Sequence, residues 1–322
     1  MPFLEVKDLI IGLKKRNIPL IDKVSFTLEK GEILGILGES GCGKSLTGFS
    51  LLRLFPSGVS YYSGKVLIDN IDLYSLSEKE LSKIRGKKVA IILQDPLSSL
   101  NPVLTIGEQI AEVLKHHFNL NSKNRRKRIY ELLKEVGISE PEIRAKSYPH
   151  QLSGGLRQRA MIAMALAGEP ELLVADEPTT ALDLTLQIQI LELLKDLNQK
   201  KSLTIVFISH DLGVVRWISD KIAVFYAGEI VEIASTEEVF NNPLHPYTQA
   251  LIESYPREGK IRKILKGSPV NLLQKPSGCR YFERCENPCK EGKNIHPDLI
   301  NAGKNHWVRC FKYGNVSVFG RN

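Results

Sequence analysis

The segment 32–52 constrains the fold most, because it places a glycine-rich loop between a buried strand and a helix. Residues 32–37 form a short apolar run with β-branched side chains, which predicts a buried strand. The loop 38–45 reads GESGCGKS, and residues 45–52 predict a helix. A strand, a loop of this pattern and a helix in this order predict a parallel α/β fold that binds phosphate.

The loop itself supplies the candidate phosphate ligands. Its glycines let the backbone bend so that successive N–H groups point at an anion. We expect Lys44 to reach the β- and γ-phosphates of a nucleotide and the Ser45 hydroxyl to bind Mg²⁺. A glycine-rich turn that binds nothing is the alternative, and the strand and helix on either side argue against it. The candidate residues are Gly38, Glu39, Ser40, Gly41, Cys42, Gly43, Lys44, Ser45 and Leu46.

Two acids follow a second buried strand. Residues 172–175 are apolar, and Asp176 and Glu177 come directly after them. In a parallel sheet, ligands bind at the carboxyl ends of the strands. We expect Asp176 to hold Mg²⁺, as the acid in this place does in P-loop ATPases, and Glu177 to polarise an attacking water. A solvated strand end with two acids is the alternative, which the preceding phosphate loop disfavours.

A second glycine-containing segment completes the pattern. Residues 152–159 read LSGGLRQR, and this segment after a phosphate loop resembles the signature of an ABC transporter ATPase subunit. In that family the signature, here Ser153, Gly154 and Gly155, faces the phosphate loop of a partner subunit, so that two chains enclose ATP. The resemblance implies a P-loop NTPase core of α/β class with an antiparallel β subdomain and an inserted helical subdomain.

The remaining motifs of the family can be assigned to single residues. Gln94, after the apolar run 89–93, matches the glutamine that contacts Mg²⁺ and the attacking water. Residues 180–183 read TALD and resemble the loop that ends in Asp183, with threonine where serine is usual. His210, after the apolar run 204–209, matches the histidine that contacts the γ-phosphate. The resemblance thus implies Glu177, His210 and Gln94 as catalytic residues, and Ser45, Gln94 and Asp176 as Mg²⁺ ligands.

One position departs from the family pattern. Leu13 stands where an aromatic residue usually stacks on adenine. An aliphatic side chain can pack against the base, but it lacks the ring that would stack on it. The preference for ATP over GTP is therefore implied by the family and not by this residue.

The order of elements predicts three regions. A helical pattern over 105–147 interrupts the strands and resembles the helical subdomain that receives the membrane subunits. We expect an ATPase core over 1–94 and 150–240, a helical subdomain that contacts the permease over 95–149, and a small cysteine-bearing C-terminal extension over 241–322.

The extension carries motifs of one branch of the family. Residues 245–248 read HPYT, and residues 278–285 contain the G-C and R-C pairs that are typical of the oligopeptide/dipeptide importer ATPases. That branch also serves nickel and, in some organisms, oligosaccharides. The resemblance implies three kinds of partner: a second ATPase subunit, usually a different chain; two membrane permease subunits; and, indirectly, an extracytoplasmic solute-binding protein. Substrate choice lies in the permease and the binding protein, so the sequence does not name the solute.

Four of the five cysteines lie in the extension, with the spacing C-x5-C-x3-C-x20-C. Clustered thiols in a protein of the cytosol suggest a metal site, and four thiolates suit an iron–sulfur cluster or Zn²⁺. Unligated buried thiols are the third possibility. A few members of the branch carry a 4Fe–4S cluster here, so the resemblance favours that cluster over zinc. Cys42 is expected to be incidental. The expected ligands are Cys279, Cys285, Cys289 and Cys310.

Composition limits the function classes. The 322 residues suffice for two domains, and no apolar run reaches the ~18 residues of a membrane span. No signal pattern opens the sequence, so we expect a peripheral protein at the cytoplasmic face of the membrane. The net charge of +8 raises the question of nucleic acid, but nothing resembles a base-reading module, and no nucleic-acid partner is expected.

Two other functions remain open at this point. A soluble ABC-type ATPase of repair or translation usually carries two cassettes or a long coiled-coil insertion, and neither is visible. A metal-sensing regulator would depend on the cysteines more than on ATP, and the complete set of catalytic motifs argues against it. ATP-driven uptake of peptides is the function that the sequence favours.

Overall fold

A computed structural model describes residues 1–180, 182–255 and 265–314. Its strands are β1 (Leu4–Leu13), β2 (Ile18–Leu28), β3 (Ile33–Leu37), β4 (Val59–Ile68), β5 (Ile71–Asp72), β6 (Val89–Ile92), β7 (Leu172–Asp176), β8 (Thr204–Ser209), β9 (Lys221–Tyr226), β10 (Glu229–Ser235), β11 (Ile300–Asn301) and β12 (Trp307–Val308). Its α-helices are α1 (Lys44–Ser50), α2 (Glu78–Ile84), α3 (Pro96–Ser99), α4 (Ile106–His117), α5 (Ser122–Glu135), α6 (Pro141–Arg144), α7 (Gly154–Leu166), α8 (Leu184–Lys201), α9 (Leu212–Ile218), α10 (Thr236–Asn241) and α11 (Pro246–Ser254).

The strands form two sheets. An antiparallel sheet has the order β2-β1-β4-β5, and its three long strands have 10 or 11 residues. A larger sheet has the order β11-β12-β10-β9-β3-β8-β7-β6. Its strands from β9 to β6 are parallel, and the four predicted from apolar runs, namely β3, β6, β7 and β8, are confirmed.

The register of the parallel strands positions the site. Leu37 at the end of β3 lies opposite Ser209 at the end of β8, and Asp176 at the end of β7 lies opposite Ile208. Strands that end together send their following loops to the same edge of the sheet. The phosphate loop, Glu177 and His210 therefore leave the sheet side by side.

Helix α1 lies close against this sheet. A Cβ atom on Gly48 would be 2.7 Å from the Ile208 side chain and 2.9 Å from that of Val174, so the missing side chain permits the close approach. Strands β7 and β8 are fully buried, as parallel strands covered on both faces should be.

Helices α3 to α6 lie in the chain between β6 and the signature. Helix α4 begins with a capping box between Thr105 and Glu108, and α5 buries Ile129, Leu132 and Leu133. Both helices pack against α7, so the helical region shares its core with the helix that follows the signature. Among the described residues, no helix combines the length and the apolar character needed to cross a lipid bilayer.

The C-terminal extension is joined to the large sheet. Strand β12 pairs with β10, and β11 pairs with β12, so the sheet continues into the last described residues. Glu232 of β10 is fully buried at this junction. Its carboxylate accepts hydrogen bonds from the backbone N–H groups of Leu244 and His245 at 2.8 and 2.7 Å, and it lies 2.7 Å from His306 Nε2. One carboxylate therefore ties together three parts of the chain.

We expect Glu232→Gln to lower the free energy of unfolding by about 3 kcal/mol. The backbone N–H groups of Leu244 and His245 now donate to a charged carboxylate, and in the variant the NH₂ group of the amide would face one of these donors. Chemical denaturation measures the change, and limited proteolysis should show earlier cleavage of the extension. Glu237→Gln on the exposed side of α10 is the matched control and should change stability by less than about 0.5 kcal/mol. Equal unfolding midpoints for the two variants would contradict this role of Glu232.

Candidate functional site

The phosphate loop has the shape that its glycines predict. Gly41 and Gly43 have φ angles of +75° and +106°, which side-chain-bearing residues rarely adopt, and Gly43 precedes α1. A Cβ atom on Gly38 would collide with the backbone carbonyl oxygen of Phe225 on β9. The sheet and the loop therefore require glycine at these positions, and the loop can present its N–H groups to an anion.

Lys44 lies over the first turn of the loop. Its side chain is buried, and Nζ donates hydrogen bonds to the carbonyl oxygens of Gly38 at 2.8 Å and Glu39 at 2.9 Å. An ammonium group has three hydrogens, so one remains for a phosphate oxygen. The carbonyl groups of the loop thus fix the position of the cation that the sequence assigns to nucleotide binding.

Ser45 and Asp176 form the next part of the site. Ser45 Oγ donates a 2.9 Å hydrogen bond to Asp176 Oδ1. Burial raises the pKa of the Asp176 carboxyl group to about 6; the nearby Glu177 adds to the rise, while Ser45 and Lys44 oppose it. A buried carboxylate beside a hydroxyl suits Mg²⁺, which binds one or two carboxylates together with waters and substrate phosphates. The residues present fit this metal.

Glu177 joins three motifs. Its Oε2 accepts hydrogen bonds from Gln94 Nε2 at 3.0 Å and Thr180 Oγ1 at 2.9 Å, and its Oε1 lies 3.1 Å from His210 Nδ1. The Glu177 side chain is only 13% exposed, whereas that of His210 is 57% exposed. A carboxylate held on both oxygens beside an open side can accept a proton from water.

The sequence did not predict the contact between Thr180 and Glu177. Thr180 stands where serine is usual in the family, and its hydroxyl fixes one oxygen of Glu177. The spacing of three residues after the acid could have suggested this contact. Ala181 lies outside the described residues, and Asp183 caps α8 by accepting a 3.0 Å hydrogen bond from Leu186 N–H.

The signature is built at the start of α7. Ser153 caps this helix by accepting a hydrogen bond from the Leu156 N–H, and a Cβ atom on Gly155 would lie 2.9 Å from the Leu186 side chain. Within the part of the chain that the structure describes, no hydrogen bond joins residues 153–155 to the phosphate loop. Leu13 lies at the end of β1, where its carbonyl oxygen accepts a 2.7 Å hydrogen bond from Tyr62.

The four cysteines of the extension come together. Cys279, Cys285, Cys289 and Cys310 all line one cavity of about 30 Å³, and all four are free thiols. Burial raises the pKa of Cys279 to about 11, with smaller contributions from Glu229 and from neighbouring thiols. Over the described ranges, however, no group of three or more histidine, cysteine or acidic side chains has the arrangement of a metal site. The donor chemistry fits a thiolate-bound metal, but the thiols do not converge on one point.

Cys42 is separate from these four. It is buried in the phosphate loop, and burial raises its pKa to about 11, so this thiol is protonated at neutral pH. A protonated, buried thiol is a poor nucleophile.

Two residues of the extension reach the phosphate loop, and the sequence did not predict either contact. Tyr247 and Arg284 both bind Glu39, across separations of 208 and 245 residues. The HPYT and R-C motifs contain these residues, but a motif does not state which distant segment it contacts. Only the fold brings them to the loop.

Comparison with known proteins agrees with the geometry. A family model described as ABC transporter matches residues 21–180, and one described as oligopeptide/dipeptide transporter, C-terminal region, matches residues 231–291. The oligopeptide transport ATP-binding protein AppD of Bacillus subtilis (strain 168) is 48% identical over 93% of this chain and 93% of its own length. The dipeptide transport ATP-binding protein DppD of the same organism is 45% identical over 92% of this chain and 89% of its own length.

A solved structure is similar as well. It is a dimeric, post-hydrolysis state of the ATP-binding cassette MJ0796 bound to ADP and phosphate. The TM-score is 0.65 at 33% identity, over 72% of this chain and 98% of that one. The match leaves part of this chain uncovered, which is consistent with an extension beyond a minimal cassette.

Asp176 predicts a pH dependence of stability. The pKa of its carboxyl group is about 6 in the folded chain, whereas the ordinary value is 3.8. Between pH 3.8 and about pH 6, the folded state therefore binds a proton that the unfolded state lacks. Raising the pH through about 4 to 6 therefore costs stability, by up to about 3 kcal/mol. Unfolding of the nucleotide-free protein, measured at about pH 5 and pH 7.5, should show about half of this loss, because pH 5 already lies about one pH unit below the folded pKa.

Asp176→Asn should remove most of this loss and stabilise the nucleotide-free protein at the higher pH, while weakening Mg²⁺-dependent nucleotide binding. Asp196→Asn on the exposed face of α8 is the control and should keep the wild-type pH dependence. If Asp176→Asn also keeps the wild-type pH dependence of stability, another titratable group causes that dependence.

Proposed function

Since this chain belongs to the ABC transporter family of ATPases, in its oligopeptide/dipeptide branch, we propose that it hydrolyses ATP to drive uptake of oligopeptides or dipeptides through a membrane permease. The observation that carries the proposal is the set of contacts around Glu177. Gln94, Thr180 and His210, from three separate segments, all hold this one carboxylate.

The roles of the residues follow from their chemistry. The backbone of residues 38–46 and the Lys44 ammonium bind the phosphates. Ser45 and Asp176 would hold Mg²⁺, with Gln94 as a further ligand; when bound, the metal neutralises charge on the phosphate oxygens. Glu177 accepts a proton as the water oxygen bonds to the γ-phosphorus and the bond to the ADP oxygen breaks. His210 holds Glu177 and faces the γ-phosphate.

The second half of the site comes from a partner. We assign Ser153, Gly154, Gly155 and Asp183 to the ATP that is bound by a second ATPase subunit. We propose that this subunit is a different chain, as is usual in this branch. Residues at the start of a helix offer free N–H groups to a phosphate. Binding of ATP then closes the two chains on each other, and hydrolysis releases them.

The three regions of the sequence have separate tasks in this scheme. Residues 1–94 and 150–240 act as the ATPase core, residues 95–149 contact two permease subunits, and residues 241–322 form the extension. Leu97 and Val103 are 59% and 75% exposed at the start of the helical region, which favours a docking surface there. The protein then works at the cytoplasmic face of the membrane, where the permease passes on solute from an extracytoplasmic binding protein.

Peptides are the proposed solute class because the relatives are named for oligopeptide and dipeptide transport. Nickel and oligosaccharide import remain the alternatives within the branch. An ABC-type ATPase that is not coupled to transport is less supported, because the match extends over the extension as well as the core.

The cysteines support a further, finer proposal. Four free thiols around one cavity could hold a 4Fe–4S cluster, with tetrahedral Zn²⁺ as the alternative. The cysteine side chains would have to move to bring their sulfur atoms to one point. Such a site would stabilise the extension, because its short strands alone bury little apolar surface.

Glu177→Gln tests the catalytic proposal. The variant should bind ATP normally, because phosphate binding does not use this side chain, and it should lose turnover by about 100-fold or more, the scale of a general base. It should also accumulate as an ATP-bound dimer in size-exclusion chromatography. Glu192→Gln on the exposed side of α8 is the control and should hydrolyse ATP at the wild-type rate. Near-normal hydrolysis by Glu177→Gln would remove Glu177 from the role.

Metal analysis tests the cluster. Protein purified without oxygen should be brown and contain about four irons per chain, and Cys285→Ser should lose both the colour and the iron. Cys42→Ser is the matched control and should keep them. One zinc per chain without iron would show that the site holds the alternative metal and not the cluster. Protein free of both metals would refute a metal site.

A further inference from the structure

Glu39, in the second position of the phosphate loop, is held at two points by the C-terminal extension. Its carboxylate accepts hydrogen bonds from both terminal nitrogens of Arg284, Nη1 at 2.6 Å and Nη2 at 3.0 Å. Its backbone N–H donates a 3.0 Å hydrogen bond to the Tyr247 hydroxyl oxygen. A paired contact of guanidinium and carboxylate fixes orientation as well as distance.

Arg284 is itself firmly placed. It lies in a short 3₁₀ turn, Phe282–Arg284, and its side chain is only 5% exposed. Its guanidinium lies over the rings of Tyr226 and Tyr281, at 5.6 and 5.8 Å from their centroids, and its Nε donates a 2.7 Å hydrogen bond to the carbonyl oxygen of Lys266. A guanidinium with these neighbours cannot move without breaking contacts on several sides.

The same aromatic cluster holds the second anchor. Tyr247 is fully buried at the start of α11, and its ring packs against those of Tyr226 and Tyr281 at 4.7 and 5.4 Å between centroids. The two groups that bind Glu39 thus belong to one packed unit.

Glu39 connects this unit to Lys44. The carbonyl oxygen of Glu39, together with that of Gly38, accepts the hydrogen bonds of Lys44 Nζ. The residue whose side chain and N–H group are held by the extension is therefore the residue whose carbonyl group helps to place the phosphate-binding cation.

Charge gives the contact a second effect. The loop must receive the negatively charged phosphates of ATP, and an unpaired carboxylate within it would repel them and compete for Lys44. Arg284 neutralises this carboxylate and keeps it turned towards the extension.

We propose that Arg284 and Tyr247 are positioning residues of the nucleotide site, which act through Glu39 to set the place of Lys44 and to neutralise the loop. The extension is then part of the ATP site and not an appendage to it. This inference rests on the proposed function only in that residues 38–46 bind ATP.

Affinity for ATP in the full-length chain, measured by titration calorimetry, tests the proposal. Arg284→Gln should raise the Kd for ATP about tenfold, because it removes two charge-assisted hydrogen bonds and leaves the Glu39 carboxylate unpaired. Glu39→Gln should raise it less, because no charge remains to repel phosphate. The double variant should match Glu39→Gln, so that neutralising Glu39 rescues most of the loss caused by Arg284→Gln.

A merely structural role predicts a different pattern. If Arg284 only fastens the extension, Arg284→Gln lowers the unfolding temperature but leaves the Kd unchanged, or its effect on the Kd adds to that of Glu39→Gln. Either result overturns the proposal. Glu286→Gln is the matched control, since it breaks an exposed ion pair with Lys266 in the same extension, and it should leave the Kd at the wild-type value.

A milder variant keeps the test decisive if Arg284→Gln does not fold. Tyr247→Phe removes one hydroxyl oxygen and should raise the Kd about threefold by freeing the Glu39 N–H group; an unchanged Kd would overturn the proposal for this anchor. Absence of ATP binding in the wild-type chain would instead refute the proposed function. Binding by the wild type with equal affinity in every variant would refute the inference alone.

Discussion

The common end of strands β3, β7 and β8 is the constraint on which the rest of the molecule depends. Parallel hydrogen bonding fixes the three strands against one another, with Leu37 opposite Ser209 and Asp176 opposite Ile208. A shift of the register would separate Ser45 from Asp176. Because the strands are buried on both faces, their packing resists such a shift, and the core of the protein holds the chemistry in place.

Local patterns in the sequence predicted strands β3, β6, β7 and β8 and the candidate residues that follow them, but not the parallel pairing of β9 with β3. Glycines with required φ angles, apolar runs and acids at strand ends each act over a few residues, so they can be identified without a structure. The contact of Thr180 with Glu177 is harder to predict. The two residues are only three positions apart, but whether their side chains meet depends on the conformation of the turn that follows β7.

Contacts between distant segments could not be predicted in this way. The sequence indicated only a small cysteine-bearing extension, whereas in the structure the large sheet continues into it and Glu232 is buried at the junction. Tyr247 and Arg284 belong to recognisable motifs, but their shared partner Glu39 follows from the tertiary packing of three tyrosine rings. Burial of charged groups on this scale is favourable only with complete pairing, which a pattern of residue types does not reveal.

The separation of Glu39 from its two partners also has a consequence for synthesis of the chain. A ribosome makes the phosphate loop early, but Tyr247 and Arg284 follow it by 208 and 245 residues. Domains begin to fold from the N-terminal side during translation, so the nascent loop exists for much of that time with an unpaired Glu39 carboxylate. The nucleotide site of a growing chain is therefore unfinished until the extension has emerged, and a truncated product that lacks it would leave the loop without its anchors.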